Sequence, residues 1–132
     1  MANSYTKQVI EDGQRNFIVK ITGILDTSDQ PRETLVLPSD CVQFIPTNFR
    51  VDHIDYTISD PIEVQLWWEG TPDSLILPMA GRNKFNYADL GGLQNTANQP
   101  TGGIRFETTG YVSGTQVYSL MLWLVKQGVP NV

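Results

Sequence analysis

The sequence predicts an all-β protein, an antiparallel β-sandwich of jelly-roll type with about eight strands and negligible helix. Three observations carry this. Polar and apolar residues alternate with a period of two in one segment after another. Gly, Pro, Asn and Asp punctuate the chain at intervals of roughly ten residues, the spacing of short strands in sandwiches and barrels. No stretch between plausible caps holds a helical period long enough for an ordinary helix. With 132 residues the chain has the length of one domain. At this size folding removes roughly two thirds of the unfolded surface from water, so no disulfide or metal staple is required. No internal repeat or low-complexity tract divides the chain, and residues 1–132 read as a single domain.

Tyr5 to Glu11 and Arg15 to Leu25 flank Asp12-Gly13, a hairpin dipeptide suited to positive backbone torsions. In the second run Phe17, Val19, Ile21 and Leu25 share one face, opposite Asn16, Lys20 and Thr22, as in a half-buried strand. Asp26 to Arg32 is a loop by composition. Thr34 to Leu37, between Pro31 and Pro38, predicts a brief edge strand, and Cys41 to Ile45 another strand closed by Pro46. In Phe49 to Ile58, Ile54, Tyr56 and Ile58 line one face. Phe49, Val51, His53 and Asp55 line the other, which therefore turns from apolar to polar along its length. Glu63 to Glu69 alternates with Val64, Leu66 and Trp68 inward, and Ser74 to Met79 groups Leu75 with Leu77. Ala80 to Gly103 is a long polar loop or arm in which Lys84 to Tyr87 is the plausible strand. Ile104 to Thr109 and Gln116 to Gln127 complete the set. The last carries Val117, Met121, Trp123 and Val125 on one face and Tyr118, Leu120, Leu122 and Leu124 on the other, which predicts a central strand or one at a subunit contact.

Composition narrows function mainly by exclusion. Nine Lys and Arg against 14 Asp and Glu leave a formal charge of −5, a poor balance for neutralising nucleic-acid phosphates. One Cys excludes an internal disulfide, and one His excludes a multi-histidine metal site. Neither a signal peptide nor an apolar run of membrane-spanning length is present, so a protein retained in the cell that makes it is expected, with no membrane and no cofactor. A catalytic triad would need His53 with Cys41 or a distant serine, and no nucleophile elbow accompanies them. His53 reads better as a sheet-edge or interface residue, and Cys41 as a small buried hydrophobe. Asp26-Thr27-Ser28-Asp29 offers oxygen ligands without the spacing of a helix-loop-helix calcium loop. The other carboxylates, Asp52, Asp55 and Asp60 among them, read as a solvated acidic surface.

Binding residues are more legible than catalytic ones. Adjacent strand residues point to opposite faces, so Trp67 and Trp68 cannot share a core layer. Trp68 joins the Val64 and Leu66 face, which leaves Trp67 for a contact surface. Its indole there could anchor a protein interface or stack on a sugar ring. In the arm, the amides of Gln94, Asn95, Asn98 and Gln99 are suited to pairing with a partner's exposed strand edge.

Read together, several phrases resemble a group of small virion proteins of tailed bacteriophages. They are Asp12-Gly13-Gln14-Arg15-Asn16, Leu25-Asp26-Thr27-Ser28-Asp29, Asp52-His53-Ile54-Asp55-Tyr56, Leu77-Pro78-Met79-Ala80-Gly81-Arg82, Gly91-Gly92-Leu93-Gln94-Asn95 and Leu124-Val125-Lys126-Gln127. The resemblance runs from about Thr6 to Gln127 and is one of phrase and order. It implies a stable, non-catalytic capsid decoration or cement protein that sits in the virion on the major capsid protein of the head. It also implies a symmetric homo-oligomer, with a trimer favoured because shell-binding proteins adopt the axes they occupy. It assigns no binding residues. A tail or adaptor component, or a carbohydrate-binding module using Trp67, is the alternative.

Overall fold

The computed structural model describes residues 3–43, 45–60, 62–94, 96–97 and 102–127. They form nine strands: β1 (Ser4–Asp12), β2 (Asn16–Leu25), β3 (Glu33–Val36), β4 (Asn48–Ile58), β5 (Glu63–Trp68), β6 (Ser74–Met79), β7 (Arg82–Asn86), β8 (Ile104–Thr109) and β9 (Gln116–Gln127). Two single-turn 3₁₀ segments, Pro38–Asp40 and Ala88–Leu90, are the helical content among the described residues. One sheet has five strands in the order β1-β2-β9-β4-β7, the other four in the order β3-β8-β5-β6. Every strand pairing is antiparallel. After β2 the chain changes sheet at each connection except the β5–β6 hairpin, which is jelly-roll connectivity with β1 added beside β2.

The core lies between the sheets. Phe17, Val19, Ile21 and Leu25 of β2 join Val64, Leu66 and Trp68 of β5, Ile104 and Phe106 of β8, and Tyr118, Leu120, Leu122 and Leu124 of β9 in one buried cluster. The alternation in these strands thus has its predicted meaning. Gly23 interrupts the inward face of β2 because its cross-strand partner is Tyr118. The tyrosine ring lies where a Cβ on residue 23 would be, so only glycine leaves room.

Several strands depart from simple alternation. In β4 the register against β9 shifts between Val51 and His53, a bulge that leaves Asp52 as the extra residue. Phe49 and Val51 therefore face the core together with Ile54, Tyr56 and Ile58 rather than opposite them. The apparent change of one face from apolar to polar is two faces joined across the bulge. A similar shift between β5 and β6 pairs Leu77 with Leu66 and Leu75 with Trp67, so Leu75 and Leu77 do not share a face. Leu75 is exposed on the outer side.

Residues 41–43 form no strand, although Cys41 is buried as expected. The segment is held by a side chain instead: the Asp12 carboxylate accepts a hydrogen bond from the Val42 amide at 2.7 Å. The β1–β2 hairpin forms where predicted, but without a left-handed glycine at position 13. Its loop is clamped from β9, where Lys126, with its side chain fully buried, bonds Asp12 Oδ1 and the Gly13 carbonyl, each at 2.6 Å. That contact replaces the turn chemistry on which the dipeptide argument rested.

Strand β7 begins two residues earlier than the sequence predicts, and it forms the edge of the five-stranded sheet. Farther along, Leu93 makes a two-way backbone bridge to Val51, at 3.1 and 2.8 Å, and the Thr96 hydroxyl meets that of Ser74 at 2.6 Å. Gly103 accepts a hydrogen bond from the Glu69 amide.

Candidate functional site

Strand β9 is central in its sheet, as predicted, yet only its inner face is covered by the opposing sheet. The outer face builds the most distinctive surface of the molecule, and the register defines it as cross-strand rows. One row runs Glu11, Ile18, Trp123, His53 and Asn86. The next runs Gln8, Lys20, Met121, Asp55 and Lys84, and a third runs Thr6, Thr22, Ser119, Thr57 and Arg82. Beyond them Ile24 pairs with Val117, and Val117 is 50% exposed. Ile18 and Ile24 of β2 and Val117, Met121 and Trp123 of β9 supply the apolar side chains of this face, and Lys20 of β2 with Arg82 and Lys84 of β7 supply the cations.

The bulge at Asp52 helps to make this face. By shifting the side-chain parity of β4, it turns His53, Asp55 and Thr57 outward while Phe49 and Val51 stay inside. The His53 ring stands edge-on to the Trp123 indole, with centroids 4.7 Å apart, and His53 Nε2 is 2.7 Å from Asp55 Oδ1. Asp52 itself pairs with Arg50 at 2.7 Å and lies against Gly92, a glycine with φ of +78°.

Across the second and third rows lies an open depression of about 520 Å³, lined by Lys20, Asp55, Thr57, Arg82, Lys84 and Met121 among others. Its cations differ from five of the chain's other six. Lys7, Arg32, Arg50, Arg105 and Lys126 each pair with a carboxylate. Lys20, Arg82 and Lys84 show no ion pair among the described residues, and all three are exposed. Asp55 is the direct cross-strand neighbour of Lys84, yet its carboxylate turns along β4 to His53. The depression therefore has a local surplus of positive charge in a protein of net charge −5. Chemically it can receive an anionic group while Met121 offers an apolar floor.

The residues singled out from sequence lie elsewhere. Trp68 is inside, 2% exposed, and Trp67 points to the outer face of the four-stranded sheet. There Trp67 is half-buried beneath Arg32, whose guanidinium carbon is 3.7 Å from the ring centroid. Arg32 is fixed in turn by Glu107 and Asp73, and Arg105 also reaches Asp73 at 3.0 Å. One indole face is thus occupied by the chain's own ion-pair network, which removes it as a sugar platform unless Arg32 moves. Burial alone would raise the Asp73 carboxyl pKa, but the Gly70 amide and the two guanidinium groups outweigh it and hold the group below the usual carboxylate range.

Gln94 is exposed, donates to the Gly91 carbonyl at 3.1 Å, and borders a smaller hollow of about 240 Å³ with Leu75, Ile76 and Leu93. Asn95, Asn98 and Gln99 lie outside the described residues. The Asp26–Asp29 loop turns its oxygens to the chain itself. Asp26 accepts from Tyr111 and Thr115, and Asp29 from Thr108 and the Tyr111 amide. Among the described residues no cluster of three His, Cys, Asp or Glu side chains has metal-binding geometry, and no helix is long and apolar enough to cross a membrane. Burial pushes the Cys41 thiol up to about 11, far from a reactive thiolate at neutral pH.

Sequence reasoning missed this cluster because Lys20 lies far along the chain from Arg82 and Lys84, which share a face of β7, and joins them only through the order of β2, β9, β4 and β7. The available signal was their outward parity, which Lys20 showed in β2. No protein-family model matches the chain, and no curated protein matches it significantly.

Proposed function

We propose that this protein is a non-catalytic structural component of a tailed-phage virion, a decoration or cement protein that binds the major capsid protein on an assembled head. The observation that carries the reading is the outer face of the five-stranded sheet. Ile24 and Val117 are exposed there, beside half-buried Met121 and Trp123, with no element of the described chain laid over them. Apolar side chains gathered on an otherwise polar surface are characteristic of protein contact sites. Jelly rolls serve in viral shells and in lectins, so fold supports the reading by analogy, together with the phrase-level resemblance to phage virion proteins.

The mechanism is linkage. A protein that binds only the assembled lattice shifts it away from dissociation, by about 2.7 kcal/mol per site at a hundredfold excess over the dissociation constant. Repetition by symmetry multiplies modest contacts, and a homotrimer on a threefold position would supply that repetition.

Purified heads with and without the protein test the reading. Occupied heads should resist heat better, and the protein should sediment with them as an oligomer. Equal heat resistance overturns the cement role, and labelling confined to tails replaces it with the tail or adaptor reading. Glycan binding abolished by Trp67→Ala would replace it with carbohydrate recognition. Light scattering that finds only monomer, free and on the particle, overturns the trimer.

A further inference from the structure

We infer that the depression across β2, β9, β4 and β7 is a docking site for an acidic peptide segment of a protein partner, an inference that rests on the docking reading above in requiring a protein as occupant. Charge complementarity carries it. Lys20, Arg82 and Lys84 converge on one concave surface of about 520 Å³ without an ion pair among the described residues, whereas five of the other cations are engaged. Of the nine Lys and Arg, only Arg15 is similarly unpaired among the described residues, and it lies in the β1–β2 turn just before β2, outside the depression.

The carboxylate nearest these cations is directed away from them. Asp55, between Lys20 and Lys84 in its row, is hydrogen-bonded to His53 at 2.7 Å. A ligand carboxylate can therefore approach Lys84 without displacing an existing pair. Met121 gives the depression apolar surface of its own, and Trp123 stands in the neighbouring row beyond its lining, which suits a segment with mixed acidic and apolar side chains.

A nucleic acid fits less well. Three cations neutralise few phosphates, and the −5 charge of the whole protein opposes the approach of a long polyanion. A free inorganic anion would leave the apolar part of the footprint unused. A peptide carboxylate instead gains locally from the cations and laterally from Met121.

The test uses capped hexaglutamate as probe, followed by Trp fluorescence and by chemical-shift changes in the wild-type protein. Capped hexaglutamine, inorganic phosphate and a six-nucleotide oligothymidylate serve as comparison probes. Hexaglutamate should shift resonances of β4, β7 and β9, and should lose its effect as added salt shortens the Debye length from about 30 to about 3 Å. The Lys20→Glu/Lys84→Glu double variant should weaken binding about tenfold or more, whereas Arg15→Glu should leave it unchanged. Lys20 and Lys84 are exposed, so both swaps should retain the wild-type circular dichroism spectrum.

Equal loss in Arg15→Glu, or no binding, overturns the inference, as does equal or tighter binding of phosphate or oligothymidylate. Self-association abolished by the double swap, without hexaglutamate binding, assigns the face to a second copy and also overturns it. The two readings can fail separately. Wild-type protein that binds hexaglutamate here but does not bind heads defeats the virion role alone, whereas a double variant that still binds heads with wild-type affinity defeats this inference alone.

Discussion

The adjacent indoles of Trp67 and Trp68 have opposite surroundings, and truncating each should report its own environment. Trp68 is buried in the sandwich core, so Trp68→Ala should cost about 3 to 5 kcal/mol in urea denaturation, the range for a large core truncation. Trp67→Ala removes a cation–π contact from a half-buried position, and a loss of about 1 kcal/mol is expected. Reversed losses would place the strand one residue out of register. Cys41 offers a second check. With its thiol pushed up to about 11 by burial, it should resist a disulfide reagent at neutral pH until the protein unfolds. Fast modification of the native protein would contradict that environment. Both positions were expected to be buried, Trp68 from the parity it shares with Val64 and Leu66, and Cys41 as a small hydrophobe beside Val42 and Phe44, although Val42 itself is exposed. The cap on Trp67 was not legible in the sequence, because Arg32 lies 35 positions away in a loop whose path no periodicity describes.

Strands show where reading by alternation stops. Parity in β2, β5 and β9 translated directly into burial because these strands pair with their inward partners in register on the core side. It failed in β4 and β6, since a bulge adds a residue without changing the apolar composition that periodicity measures. Deleting Asp52 should therefore be far worse than replacing it. Deletion turns either Phe49 and Val51 or Ile54, Tyr56 and Ile58 outward and should abolish the cooperative thermal transition, whereas Asp52→Ala retains the parity and should still fold. The β1–β2 hairpin and β9 are linked by a second device absent from any local pattern, the Lys126–Asp12 pair. Burial by itself would raise the Asp12 pKa, but hydrogen bonds from Lys126 and from the Val42 and Gln43 amides outweigh it and hold the carboxyl below its ordinary value. Because the native value is depressed, the stabilisation is complete above the unfolded pKa of about 3.9 and is lost as pH falls through the native one. Asp12→Asn should lower the urea midpoint at pH 7 and show a flatter acid limb than wild type; parallel limbs would exclude the pair as a contributor.

At the scale of the molecule, strand number and class were legible but strand order was not, and the candidate site depends on order. Lys20, Asp55 and Lys84 are ordinary surface residues until β9 brings β2 and β4 to either side of it. That arrangement joins distant parts of the chain, with Phe17 opposite Leu124 and Val51 opposite the same leucine. Pairings so remote make loop closure costly before contacts form, so refolding by stopped flow should occupy roughly milliseconds to seconds rather than microseconds. A microsecond phase recovering the full signal would contradict the topology. The same strand order matters during vectorial synthesis. Strands β2 and β4 do not neighbour each other, and the strand that bridges them, β9, leaves the ribosome after the other eight described strands. Until residues 116–127 emerge, β1–β2 and β4–β7 are separate pairs with their apolar faces waiting for a shared partner. A nascent chain interrupted before Gln116 thus carries an unfinished five-stranded sheet with apolar faces open to holding chaperones, and that sheet closes only when β9 has been made.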